Sequence, residues 1–269
     1  MKQPELGLKI AELRKEKGLT QEELVDLCNI SVRTIQRIET GEVTPRSYTV
    51  KTILAAMGHD LKDIREEKNS TLGKNKLLQL GWIFGIVYLL LGFLEGPMDF
   101  MRISEDLSGT STYFFFPVEG YNQTFYLMIK LLVLGSFLFF FRGFVALGAI
   151  FRNPLLRISA LLLMALMIFT ITHEITSLFW NPVDPLLISM GISVAFGVLG
   201  IIFGISLIRL RKGLGSLCLV AGLLEISAGI FFLFLNPLGL PIQMLAGLFQ
   251  VIIMYKAYPR PQKTSAQLA

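Results

Sequence analysis

Apolar side chains in the first quarter of the chain recur every three or four residues, the spacing of amphipathic helices. This spacing predicts helices at residues 5–17, 20–29, 31–40 and 47–57, and a shorter one at 60–64. The residues expected to face a common core are Leu6, Ile10, Leu13, Leu24, Leu27, Ile35, Ile38, Val50, Ile53, Leu54 and Met57. Residues 65–76 are polar and carry no apolar period, so they are interpreted as a linker with some helical structure.

The second and third predicted helices carry their own start and stop signals. Thr20 occupies an N-cap position, and Glu23 three residues later completes a capping box. Asn29 follows at the turn, where a short polar side chain tolerates a left-handed backbone. Ser31 is expected to cap the third helix and Gly41 to end it. The sequence therefore predicts two short helices joined by a tight turn.

The third helix has one apolar and one polar face. At about 100° per residue, Arg33, Gln36, Arg37 and Thr40 lie opposite the two isoleucines. Such a face is most often simply solvated, but Arg can also pair with guanine and Gln with adenine in the DNA major groove. A capped helix, a turn, a basic helix and a glycine stop in this order favour the DNA-binding interpretation.

Residues 6–60 resemble the phage-repressor type of helix-turn-helix domain (lambda repressor and Cro, also called the xenobiotic response element family). The matching residues are Leu13, Arg14, Gly18, Leu19, Thr20, Gln21, Glu23, Leu24, Ile30, Ser31, Ile35, Arg37, Ile38, Glu39, Gly41, Pro45 and the closing residues 54–58. Val25 and Asn29 depart from the small residue and the glycine usual in the family, and both substitutions are compatible with the fold.

This resemblance implies a five-helix all-α domain with residues 31–40 as its recognition helix. It also implies that Arg14 and Glu39 form an internal ion pair, and that Gln21 docks a phosphate. The DNA-binding residues expected from the resemblance and the helix wheel are Gln21, Ser31, Val32, Arg33, Thr34, Gln36, Arg37 and Arg46. Lys2, Lys9 and Lys51 are expected to add phosphate contacts, and a homodimer on a two-fold related site is the expected DNA-bound form.

Six apolar runs follow, each close to the roughly 20 residues that a helix needs to cross a bilayer. They lie near residues 77–94, 124–141, 155–173, 186–208, 214–235 and 238–256. Composition agrees, because 53% of the chain is hydrophobic and only 17% is charged. The predicted fold is all-α: a DNA-binding domain at 1–64, a linker at 65–76, a six-helix transmembrane bundle at 77–258 and a cytoplasmic tail at 259–269. Phe144–Phe151 is expected to be either an interfacial helix or a continuation of the second span.

Charges alternate between the connections. The segment 95–123 holds five acidic residues against Arg102, and Asp184 lies in the next such connection. Lys and Arg concentrate in the intervening connections and after the last run, where Arg260 and Lys263 lie. The positive-inside rule therefore predicts a multi-pass membrane protein with both termini in the cytoplasm. The family resemblance, together with the direct coupling of a membrane domain to a DNA-binding domain, implies a bacterial source and hence the inner (cytoplasmic) membrane.

A few ionisable residues fall inside or at the ends of the apolar runs, where they are costly and need partners. They are Glu95, Lys130, His173, Glu174 and Glu225. One interpretation pairs Lys130 with Glu174 or Glu225 for structure, with His173 at the interface. The other is a polar site open to the outside that binds a small ligand, ion or proton.

Catalysis finds no support in the sequence. His173 and Glu174 lack the second histidine of a zinc-protease helix, and Cys28 and Cys218 have no neighbouring metal ligands. We expect no enzyme activity, no cofactor and no metal.

The expected function is a membrane-anchored, sequence-specific transcriptional regulator that binds double-stranded DNA, with the membrane domain as its tether and, in a further hypothesis, its sensor. One alternative is a small membrane transporter or channel with a regulatory cytoplasmic helix-turn-helix domain. Another makes that domain a protein-interaction module. The operator and the ligand or signal are not specified by the sequence.

Overall fold

The computed structural model describes residues 3–108, 123–180, 185–236 and 238–258. The chain divides into two compact units, Met1–Gly73 and Lys74–Ala269, and each is described by itself. All regular secondary structure in the described residues is helical. The predicted tail at 259–269, together with Lys2, Glu119 and Asp184, lies outside the described residues.

The first unit contains the predicted small helices. They are α1 (Glu5–Glu16), α2 (Gln21–Cys28), α3 (Val32–Glu39) and α4 (Ser47–Ala56). Thr20 and Glu23 form the complete capping box, and Asn29 ends α2 with φ 50°, so both predicted signals are confirmed. The Ser31 side chain accepts a hydrogen bond from the Thr34 N–H and caps α3. Gly41 follows α3 with φ 80°, a conformation that favours glycine.

The core of this unit agrees with the apolar period except in α2. Ile35, Ile38 and Ile53 are almost completely buried, and Leu24 is fully buried. Leu27 was expected beside Leu24 but is 58% exposed, and Cys28 is buried in its place. The positions three and four residues after Leu24 both lie near its face of the helix, and α2 is rotated so that the second of these, Cys28, enters the core.

A long helix replaces the predicted short fifth helix. α5 runs from Leu61 to Ser108, so residues 60–64 mark its beginning, and residues 65–76 are helical. It also continues past residue 94, the expected end of the first apolar run, through Pro97. Glu95 and Asp99 consequently lie on a helix instead of in a loop.

The remaining helices correspond to the other apolar runs. They are α6 (Gln123–Ile150), α7 (Pro154–Ser177), α8 (Pro185–Ile208), a short α9 (Arg211–Leu214), α10 (Leu217–Leu233) and α11 (Gly239–Ala257). The α6 helix is unbroken to Ile150, so residues 144–150 continue the second run. Among the described residues, five helices are long and apolar enough to cross a membrane: Leu72–Asp99, Thr124–Ile150, Pro154–Ser177, Leu187–Ile208 and Gly239–Ala257. The α10 helix is shorter, at 17 residues, which is the lower end of the range for spanning helices.

Helices α8 and α10 approach each other at two pairs of glycines. A Cβ added to Gly229 would lie 2.7 Å from the Gly197 carbonyl oxygen, and one added to Gly204 would lie 2.7 Å from that of Gly222. Only glycine allows the two helix backbones to approach this closely. These glycines therefore serve packing inside the bundle. The bundle also contains stacked phenylalanines such as Phe137 and Phe141, whose ring centres are 4.1 Å apart.

Candidate functional site

Helix α3 divides its side chains between core and solvent as the helix wheel predicts. Ile35 and Ile38 are buried at 0% and 1% exposure, which fixes the rotation of the helix. Arg33, Gln36 and Arg37 are exposed on the other side. The helix therefore presents two guanidinium groups and an amide from a rigid support.

An ion pair inside the first unit holds α1 to the end of α3. Arg14 donates from Nε and Nη2 to the two Glu39 carboxylate oxygens, at 2.7 and 3.0 Å, and from Nη1 to the Leu19 carbonyl at 2.8 Å. Arg14 is 9% exposed, so this expected pair is present and largely buried. Burial raises the pKa of Glu39, but hydrogen bonds from Arg14 and Gln21 outweigh it, and the net shift is downward.

Gln21 joins the same cluster, because its side-chain amide donates to Glu39 Oε2 at 2.8 Å. The family resemblance assigns this amide to a DNA phosphate. One N–H of the amide is thus used within the domain, and the phosphate contact remains a prediction. The bond also ties the start of α2 to the end of α3, the two helices of the motif.

The exposed α3 residues line a groove of about 890 Å³. Its walls are formed by Ala11, Arg14, Lys15, Gln21, Arg33, Gln36, Arg37, Glu39, Thr40 and Glu42. The groove thus brings together four of the predicted DNA-binding residues: Gln21, Arg33, Gln36 and Arg37. Both acidic residues of this lining have basic partners, since Glu39 binds Arg14 and Glu42 lies 3.4 Å from Arg37.

The other predicted DNA-binding residues lie outside the groove lining. Ser31 caps α3, and its hydroxyl oxygen lies 2.8 Å from the hydroxyl oxygen of Thr34. Val32 is half-buried at its first turn, and Arg46 is exposed just before α4. DNA contacts by these four residues remain predictions.

Two further exposed residues of this domain were missed by the sequence analysis. Lys15 lines the groove, and Tyr48, in the first turn of α4, is 80% exposed. Lys15 was identifiable as the residue beside Arg14 on α1. An exposed tyrosine two residues after Arg46 was a weaker signal, because exposed single aromatics are common.

Two separate polar groups lie within the apolar helices of the described chain. In the first, Lys130 Nζ lies 2.7 Å from Glu95 Oε1, 2.8 Å from Asp99 Oδ2 and 2.7 Å from Glu174 Oε2. Lys130 is 1% exposed, and Tyr126 donates to Asp99 Oδ1 at 3.2 Å. The predicted Lys130–Glu174 pair is therefore present, within a larger cluster that joins α5, α6 and α7.

The second group surrounds Glu225, which is 2% exposed. Its Oε1 accepts a hydrogen bond from Gln243 at 3.0 Å, and its Oε2 accepts from Gln250 at 2.6 Å. The alternative pairing of Lys130 with Glu225 is therefore wrong, because amides from α11 occupy the carboxylate. His173 is half-buried and stacks at 6.5 Å on Phe169, so it contributes to neither group through any contact that the structure describes.

Residues 10–64 match the protein family described as helix-turn-helix. Residues 10–64 are a helix-turn-helix domain of the lambda repressor/Cro type. The match begins within α1 and ends in the first turn of α5, and it includes both motif helices, the Asn29 turn and the groove. Comparisons of the whole chain with curated proteins and with solved structures gave no match.

Proposed function

We propose that this protein is a membrane-anchored transcription regulator of the bacterial inner membrane. Its helix-turn-helix domain binds operator DNA as a homodimer, from the cytoplasmic side of the membrane. The proposal includes no catalytic role. The observation that carries it is the exposed Arg33, Gln36 and Arg37 face of α3, within a domain that matches the helix-turn-helix family.

The geometry of α3 supports direct reading of bases. An α-helix fits the major groove of B-DNA, where Arg pairs with guanine O6 and N7 and Gln with adenine N6 and N7. The buried isoleucines prevent the helix from turning these side chains away. The Glu42 carboxylate beside Arg37 is 60% exposed, so it can release that arginine to DNA at small cost.

The surface of the apolar helices supports membrane anchoring. Large apolar side chains point outward along them, among them Leu90, Phe93, Leu161, Phe169 and Leu223, each at least 50% exposed. Apolar surface on this scale is stable against lipid chains and unstable in water. The membrane region thus tethers the DNA-binding domain and limits the DNA within its reach.

Sensing by the membrane region is the more demanding part of the proposal. The Lys130 cluster places three carboxylates against one ammonium, and its carboxylates retain 16–32% side-chain exposure. A proton or a cation that reaches the cluster from outside the cell would change its net charge. Such a signal acts only if it favours one of two arrangements of the helices.

The test is selection of binding sites from randomised DNA by residues 1–73, the first compact unit. We expect one enriched motif for the natural sequence and none for the Arg33→Ala/Arg37→Ala variant, because each bidentate arginine contributes about 1–3 kcal/mol of base discrimination. A Lys17→Ala/Lys62→Ala variant removes the same charge away from the groove and should keep the motif. Retention of the motif by the arginine variant would refute the assignment of α3.

A further inference from the structure

A small cavity of about 300 Å³ lies where the connection between α6 and α7 meets the connection between α8 and α9. It is lined by Phe151, Arg152, Asn153, Pro154, Arg209, Leu210, Lys212 and Gly213. These residues belong to two of the basic connections that the positive-inside rule assigns to the cytoplasmic face. The cavity is distant in sequence from the DNA-binding domain, and no part of the proposed function uses it.

Specific contacts form the walls of this cavity. Asn153 is 7% exposed, and its Nδ2 donates to the Ser206 carbonyl at 2.9 Å, which fixes the first connection to α8. Its Oδ1 accepts from the Leu156 N–H at 3.1 Å and caps α7. On the other side, a Cβ at Gly213 would lie 2.5 Å from Phe151 Cε1, so α9 rests directly on the Phe151 ring.

Arg152 occupies a backbone position that does not favour arginine. Its φ is 50°, and the Asn153 N–H bonds to the Gly148 carbonyl at 2.8 Å, which is the pattern of a Schellman helix end. Glycine or asparagine normally takes this position because a Cβ is unfavourable there. The turn itself therefore does not require an arginine at residue 152, whose exposed side chain lines the cavity.

The charge around the cavity is positive. Arg152, Arg209 and Lys212 line it, and no acidic residue is among the lining residues of the described chain. The amino-terminal end of α7, a helix of 24 residues, also faces the cavity at Asn153 and Pro154 and adds the positive end of its dipole. Guanidinium groups and helix amino-termini together are suited to the oxygen atoms of a phosphate.

We propose that this cavity binds a phosphate group, held by Arg152, Arg209 and Lys212. Two sources carry that chemistry at a cytoplasmic membrane face: the headgroup of an anionic phospholipid and a free phosphate in solution. Basic pockets between membrane helices are known to accept anionic lipid headgroups. The inference is independent of DNA binding, because it uses none of the residues of the first unit.

The first experiment uses the full chain in nanodiscs with one part phosphatidylglycerol to two parts phosphatidylcholine. The lipids that remain bound after transfer to detergent are identified by native mass spectrometry. The test variant is Arg209→Gln/Lys212→Gln. The control is Arg142→Gln/Arg211→Gln, which removes the same charge from exposed residues that do not line the cavity.

If the lipid headgroup is the ligand, the natural chain and the control retain phosphatidylglycerol preferentially, and the test variant loses this preference on the order of tenfold. If free phosphate is the ligand, no lipid preference appears. Instead, inorganic phosphate raises the melting temperature of the natural chain and the control above that in chloride at equal ionic strength, but not that of the test variant.

Two results would overturn the inference. One is equal behaviour of the test and control variants in both experiments, which would show that the cavity cations act only as general surface charge. The other is the absence of both a lipid preference and a phosphate effect in the natural chain. Arg33→Ala/Arg37→Ala should retain the same lipids as the natural chain, so failure of the DNA-binding proposal leaves this test intact.

Discussion

Replacing Glu39 by alanine should destabilise the helix-turn-helix domain far more than replacing an exposed acid. The change removes both carboxylate bonds to Arg14 and the bond from Gln21. Arg14 then retains its bond to the Leu19 carbonyl but loses its counter-ion while largely buried. Breaking a buried pair in this way costs about 3–5 kcal/mol, a large part of the roughly 5–15 kcal/mol by which a domain is stable.

The matched control is Glu42→Ala, in the ion pair with Arg37. There the side chains are 51% and 60% exposed and the closest atoms lie 3.4 Å apart, so water screens the interaction. Its removal should cost less than about 1 kcal/mol. A third variant, Arg14→Leu/Glu39→Leu, removes both buried charges together and should regain most of the lost stability, since the penalty comes from the unpaired charge.

The assay is urea unfolding of residues 1–73 followed by far-UV circular dichroism. Equal losses for Glu39→Ala and Glu42→Ala would refute this account of the domain. The pH dependence gives a second check, because the pKa of Glu39 is lowered on folding from its usual 4.5. The stabilisation is therefore complete above that pH and is lost as the pH falls through the lower folded value. Glu39→Gln should lack this part of the acid sensitivity.

Three further predictions concern the membrane region and are tested by heating the full chain in detergent and following loss of the monodisperse species. Lys130→Met leaves the carboxylates of Glu95, Asp99 and Glu174 clustered without their cation, so it should lower the stability by about 3–5 kcal/mol. The control Lys256→Met changes an exposed residue and should have little effect. Equal effects of the two variants would contradict a structural role for the cluster. Glu225→Gln keeps a hydrogen-bond partner for Gln243 and Gln250 without a buried charge, so its stability should match that of the natural chain. Glu225→Leu leaves both amides without this partner and should lower the stability by about 1–3 kcal/mol. Equal losses for the two variants would show that the charge itself is required. Gly229→Leu should force α8 and α10 apart and lower the stability by about 1–3 kcal/mol. The control Gly191→Leu should be tolerated, because an added Cβ there meets nothing within 4 Å. Similar melting temperatures for the two variants would argue against the close approach of the helices.

Local signals in the sequence were sufficient for the motif helices. A capping box, a left-handed Asn29 and an N-cap at Ser31 depend on neighbours within a few residues, and each is found as predicted. The exposed face of α3 also follows from its own period, because Ile35 and Ile38 leave the helix one way to face the core. The candidate DNA-binding face is therefore predictable from the residues of α3 and its immediate neighbours.

Partners from other helices are not predictable in this way. Nothing near Lys130 in the sequence indicates that Glu95 and Asp99 bind its ammonium group together with Glu174. The sequence places both acids in the connection after the first span. The pairing itself explains the continuation of α5, because acids neutralised by a buried lysine can lie on a helix beside apolar neighbours. Likewise, the amides that bind Glu225 come from α11, and polar Gln residues in an apolar run do not reveal their partner.

We propose above that this protein binds specific DNA sites while it is anchored in the membrane. The most direct test is genome-wide DNA occupancy of the full chain, recovered from membrane fractions of its host, beside the Arg33→Ala/Arg37→Ala variant at equal abundance. We expect discrete sites that share a two-fold related motif and are lost in the variant. Sites that persist in the variant, or occupancy no higher than background for the natural chain, would contradict it.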